Sequence, residues 1–149
     1  MNPYRYRVSL RLRHRDADLS LIGARLGEAL ATAGSVHRIA GSPRVTPKGT
    51  PLPGTYREST WSADLTPGPQ RDSREQDLES FLAERLQALS PHANALRALR
   101  ETNGEAAFFI GLFCDGNSGL VLTPELMTQT AGLGIALGFD IYPPDRVTN

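Results

Sequence analysis

The stretch Tyr4–His14, YRYRVSLRLRH, sets two kinds of side chain in alternation. Tyr6, Val8, Leu10 and Leu12 share one phase; Arg5, Arg7, Arg11 and Arg13 share the other, with Ser9 interrupting the basic file. A period of two is the pattern of a β-strand, and a strand apolar on one side only belongs to a sheet with one face buried and one reached by water. Each buried Val, Leu, Ile or Phe contributes roughly 1.5–3 kcal/mol, against about 0–1 kcal/mol for an exposed ion pair. The aliphatic file therefore drives folding. The arginine file is left either as a solvated surface of compensating charges or as a surface that meets another molecule.

Outward from this strand, Asp16 or Asp18 can cap a helix whose apolar positions Leu19, Ile22, Leu26 and Leu30 follow helical spacing, with Gly34 beyond its end. The next segment is crowded with glycine and proline, which predicts a long loop centred on about 41–55 with no more than a short extended piece. Trp61, Ala63 and Leu65 then mark a second half-buried strand, with Glu58, Thr60, Ser62 and Asp64 in the opposite phase. If that strand lies beside the first, Glu58 and Asp64 share the arginine face and can form cross-strand pairs.

Ser73 and Gln76 read as a capping box for a helix through Leu78, Phe81, Leu82 and Leu86, and Ser90-Pro91 opens another that Asn103-Gly104 stops. EAAFFIGLFC, residues 105–114, is apolar in both phases, which suits a central strand covered on both faces or one whose second face meets another molecule. A short extended LVL, a helix opened by Thr123-Pro124-Glu125 and a last strand IALGFDIY follow, with Tyr142 in that strand's outward phase. The order predicts a single α+β domain over 1–149: a two-layer sandwich, mainly antiparallel, with helices on one face. The segments DLSLIGARLG and PELMTQTAGLG each follow a strand and close on Leu-Gly, which gives the expected fold a ferredoxin-like outline.

Sixteen basic residues balance sixteen acidic ones, so the overall field does not gather polyanions, and this argues against a nucleic-acid partner. Fifteen of the basic residues are arginine and only Lys48 is lysine, which suits planar bidentate donors and follows equally from a G+C-rich gene. The single cysteine, Cys114, leaves no internal disulfide to form. The start MNPYRYR has no apolar run of the signal-peptide kind, and no stretch nears the ~20 apolar residues that cross a bilayer. A cytoplasmic protein without a membrane segment is the expectation.

No catalytic constellation emerges. His14, His37 and His92 stand apart in sequence with surface or capping roles expected, and Cys114 beside Asp115 is a poor setting for a thiolate. No His or Cys spacing suits a metal. The glycines of GLGIALG close a helix and open a strand, the reverse of a dinucleotide fingerprint, so no cofactor is expected.

Several stretches, in order, carry a family resemblance. DADLSLIGARLG, HRIAGSPRVTPKGT leading to TYRESTW, and the closing GLVLTPELMTQTAGLGIALGFDIY resemble the bacterial family catalogued as domain of unknown function 4279. Gly49, Trp61, Leu133-Gly134 and Phe139-Asp140-Ile141-Tyr142 are its most specific parts. The resemblance implies a small cytoplasmic α+β domain and carries no catalytic residue to transfer.

The expected function is a non-enzymatic interaction module of immunity or regulatory type, binding a protein partner or a second copy through its open sheet face. Arg7, Arg11, Glu58, Phe109, Phe113 and Tyr142 are the candidate contacts, because arginine beside Phe and Tyr is the chemistry of interface hot spots. The alternative is a sensor of a small ligand or nucleotide metabolite, with Arg44, Lys48 and Trp61 lining a pocket under the 41–55 loop.

Overall fold

The computed structural model describes residues 2–144. Its strands are β1 (Tyr4–His14), β2 (Val36–Arg38), β3 (Pro43–Val45), β4 (Pro51–Thr55), β5 (Ser59–Asp64), β6 (Arg71–Asp72), β7 (Glu105–Cys114) and β8 (Ile135–Tyr142). The helices are α1 (Ser20–Ala29), α2 (Leu78–Leu89), α3 (Ala93–Glu101) and α4 (Pro124–Gly132), with a 3-10 turn at Ser90–His92. The main sheet runs β2-β5-β1-β7-β8, and the two-residue β6 pairs with the start of β1. All its pairings are antiparallel except β7 with β8, which α4 links as a parallel crossover. This is the α+β sandwich that the alternation predicts.

The apolar phase of β1 is its buried side: Tyr6, Val8, Leu10 and Leu12 are at most 1% exposed. They join one core with Phe108 and Ile110 of β7 and with Leu78, Phe81, Leu82, Leu86 and Leu89 of α2. Tyr6 meets Phe81 edge-on, with ring centroids 5.6 Å apart. Trp61 of β5, 2% exposed, lies against α1 where Gly23 and Gly27 leave room for its indole. A Cβ at Gly23 would sit 2.7 Å from Trp61 Cε2, so the helix approaches this closely only through a glycine.

Four expectations change. The 41–55 segment is a hairpin: β3 and β4 form a separate two-stranded sheet, fully on the surface, with Pro43 opposite Thr55 and Val45 opposite Pro51. Prolines are tolerated because both strands are edges and need no second row of amide donors. Ser73 caps no helix. Its hydroxyl accepts the Tyr4 amide at 2.9 Å, and Asp77 caps α2 instead by accepting the Ser80 amide at 2.7 Å. LVL at 120–122 forms no strand. The two Leu-Gly segments are also inequivalent, since α1 leads to β2, which β5 separates from β1, whereas α4 leads to β8, a direct parallel neighbour of β7; the ferredoxin-like outline extends to the two layers and not to repeated halves.

Candidate functional site

With every helix on one side, the other side of the sheet is open, and strand register decides which side chains meet on it. Opposite Arg13 stand Thr60 and Glu105; opposite Arg11, Ser62 and Ala107; opposite Ser9, Asp64 and Phe109; opposite Arg7, Gly111; opposite Arg5, Phe113. β8 adds Ala136, Gly138, Asp140 and Tyr142, and β2 adds Val36 and Arg38 at the other edge. Arg7, Arg11, Phe109, Phe113 and Tyr142 are thus brought to one surface. Glu58, in the bend before β5, reaches the same surface through Arg13, whose Nε and Nη2 donate to its Oε2 at 3.3 and 3.1 Å.

The aromatic side chains lie flat, over small neighbours. Phe109, 39% exposed, is placed so that a Cβ on Gly138 would touch its ring at 3.5 Å. Phe113 and Tyr142, directly paired across β7 and β8, stack with centroids 4.7 Å apart and planes 5° from parallel, beside Gly111. The Arg11 guanidinium rests on the Phe109 ring, 4.0 Å from its centroid. Stacking of this kind holds a guanidinium by its plane and leaves its edge N–H donors directed outward, ready for a carboxylate or phosphate.

Charge on this face is unevenly compensated. Arg13 has two carboxylates, Glu58 at 3.1 Å and Glu105 at 3.9 Å, and Arg5 has Asp115 at 3.6 Å. Arg7 donates to the Gly68 carbonyl at 3.0 Å. Among the described residues Arg11 and Arg38 meet no carboxylate; Arg38 lies 5.3 Å from the Tyr56 ring centroid. Asp64, the expected cross-strand partner of an arginine, is used elsewhere: its Oδ1 accepts the Thr66 amide at 2.9 Å and turns the chain out of β5.

The Arg11–Phe109 pair is shared by two concavities. The larger, about 610 Å³, crosses the strands from Val36 and Arg38 to Ala136 and Gly138, with Arg11, Arg13 and Glu105 around it and Thr60, Ser62 and Ala107 as small side chains beneath. The smaller, about 270 Å³, is bounded by Arg7, Asp64, Phe113, Asp140 and Tyr142. Three arginines against one glutamate give the larger groove a positive character.

The alternative site does not assemble. Trp61 points into the core on the helix side, whereas Arg44 and Lys48 belong to the exposed β3–β4 hairpin, where Arg44 Nη1 donates to the Pro53 carbonyl at 3.3 Å. His14 is more buried than a surface role implies. Its Nδ1 accepts the amides of Asp16 and Ala17 at 3.1 and 2.8 Å, so Nε2 carries the proton and donates to Thr102 Oγ1 at 2.8 Å. Cys114 is half-buried at the end of β7. No group of three or more His, Cys, Asp or Glu suited to a metal occurs among the described residues.

A family model described as "Domain of unknown function (DUF4279)" matches residues 4–144, nearly the whole chain. The chain belongs to the DUF4279 family. No curated protein and no solved structure matches it. For this DUF4279 chain the open face, with its stacked Arg11–Phe109 pair and its groove, is the surface whose chemistry is not consumed by folding.

Sequence reasoning finds the arginines and aromatics of the face because strand parity alone assigns them. It misses Val36 and Arg38, since three-residue β2 is too short to show a period, and it misses the small residues under the groove, whose meaning appears only once register aligns them.

Proposed function

We propose that this DUF4279 chain is a non-enzymatic interaction module, of immunity or regulatory type, that binds an acidic surface of a protein partner through the open face of its sheet. The observation that carries the reading is the Arg11–Phe109 stack: a guanidinium without a carboxylate, held by its plane, between two concavities. Arg38 adds a second uncompensated charge, and Phe109, Phe113 and Tyr142 add rigid apolar area at low entropic cost. The polar groups around the groove are guanidiniums, one carboxylate and two hydroxyls, a set suited to holding an anion. A reducing, cytoplasmic setting accords with a single half-buried thiol.

The test has two stages. A partner captured by the wild-type chain is purified and recombined with it, and amide hydrogen exchange maps the contact. Protection on β1 and β7, with binding weakened at least about tenfold by Arg11→Ala or Phe109→Ala as for hot-spot truncations, is the expected result. Undiminished binding by both variants, or protection confined to the helix layer, refutes the reading.

A groove of about 610 Å³ also falls within the ~300–1,000 Å³ typical of small-molecule sites, which supports a second reading as a sensor of an organic anion. A rise in melting temperature with di- and tricarboxylates or nucleotides, lost in Arg11→Ala/Arg38→Ala, distinguishes it from protein binding.

A further inference from the structure

β8 is the last strand of the sheet, and its sequence lacks the devices that keep an edge unpaired. Between Ile135 and Tyr142 there is no lysine, arginine or proline, and Asp140 is the sole charge. An eight-residue edge presents a row of free N–H and C=O groups, a template for another strand unless it is short, bulged, charged or covered. The opposite edge is protected: β2 has three residues and carries Arg38. Among the described residues nothing pairs with the outer side of β8.

Burial changes along this strand. On the helix side Ile135 is 4% exposed, whereas Phe139 is 37% and Ile141 66% exposed. The helix layer thus covers the start of β8 and leaves its end bare.

The geometry points to a second copy of this chain as the occupant, joined β8 to β8 in antiparallel pairing about a twofold axis. Antiparallel pairing reverses the burial gradient, setting the bare end of one strand beside the covered start of the other. In an antiparallel pair directly opposed residues share a face. With the axis at Gly138, Leu137 meets Phe139 of the second copy and Ile135 meets Ile141, so apolar side chains oppose apolar ones. On the arginine side Ala136 meets Asp140, small against large, and the two Asp140 carboxylates are not opposed. Each copy has one such edge, so the twofold closes at two chains and one sheet runs through both. Side chains of β8 close one end of the groove, but the pairing uses the strand's outer backbone edge, and the inference does not rest on the proposed function.

Sedimentation equilibrium of the full chain from micromolar to millimolar concentration tests it, with hydrogen exchange recorded on the same samples. The expected result is a mass that moves from 16.2 kDa toward twice that value, with exchange in the Ile135–Tyr142 segment slowing several-fold in step. Ile141→Lys gives a single-chain mass throughout with unchanged circular dichroism, and Arg11→Ala still dimerises. A single-chain mass for wild type at every concentration, a dimer that survives both Ile141→Lys and Phe139→Lys, or protection that appears away from β8 overturns the inference. Should the lysine variants fail to fold, the wild-type exchange pattern decides alone.

Discussion

At the first residue of β1, one phenol ties the sheet to its helix layer. Tyr4 Oη accepts the buried amide of Leu78, the first residue of α2, at 3.0 Å and donates to Glu79 Oε1 at 3.3 Å. Burial is the main reason its pKa is pushed up, to about 12, with the nearby Glu79 carboxylate adding to the shift and the Leu78 amide opposing it. A group whose folded-state pKa is raised favours the folded state in its protonated form. Its contribution is therefore whole below the ordinary value of 10.0 and is lost as pH climbs through about 12. Stability from urea titrations should fall over that alkaline range, and part of the slope should vanish in Tyr4→Phe; Tyr6, whose phenol burial also pushes up, adds to the slope that is left. At neutral pH Tyr4→Phe strands the Leu78 amide and should cost about 1–3 kcal/mol. A loss under ~0.5 kcal/mol would show that the bond is dispensable.

Elements were legible where a period ran long enough to be unambiguous. β1, β5, β7 and β8 declare themselves through six or more residues of alternation or continuous apolarity, and α4 through a Thr-Pro start whose hydroxyl does accept the Leu126 amide, at 3.2 Å. The hairpin β3–β4 was hidden because proline and glycine signal breaks by their backbone geometry, and a two-stranded ribbon with outward amides unpaired tolerates both. Ser73 shows the other limit: a capping-box spelling is satisfied locally, yet the hydroxyl is claimed by β1, 69 residues away in sequence. Trp61 shows how far parity reaches. It assigns the indole to the apolar phase, but that α1 must present glycines to receive it depends on helix placement. Gly23→Ala should thus force Trp61 or α1 to shift and cost about 1–3 kcal/mol, although alanine is the better helix former. Chemical denaturation checks this, and a stabilised variant would mean that the indole has room to move.

Over the whole molecule, a one-sided sheet separates what folds the chain from what the chain can offer to others. The helix side holds the continuous core, and the arginine side holds ion pairs, stacked rings and a groove, none of which is completely withdrawn from water. Substitutions on the two sides of β1 should then differ in kind even between neighbours in sequence. Leu10→Ala, at a position 0% exposed, removes buried methyl groups and leaves a cavity, at about 2–5 kcal/mol. Arg11→Ala, one residue on, gives up a stacking contact of about 0.5–1 kcal/mol at an exposed site and should change stability by no more than that. Paired with Arg38→Ala it should remain additive, since the two guanidiniums lie on strands separated by β5 and no hydrogen bond joins them. Urea unfolding of the three variants measures the contrast. If the double arginine variant lost as much stability as Leu10→Ala, the arginines would be structural, and a folded but non-binding variant could no longer be made from them; if it stays folded, any binding it loses is attributable to the face itself.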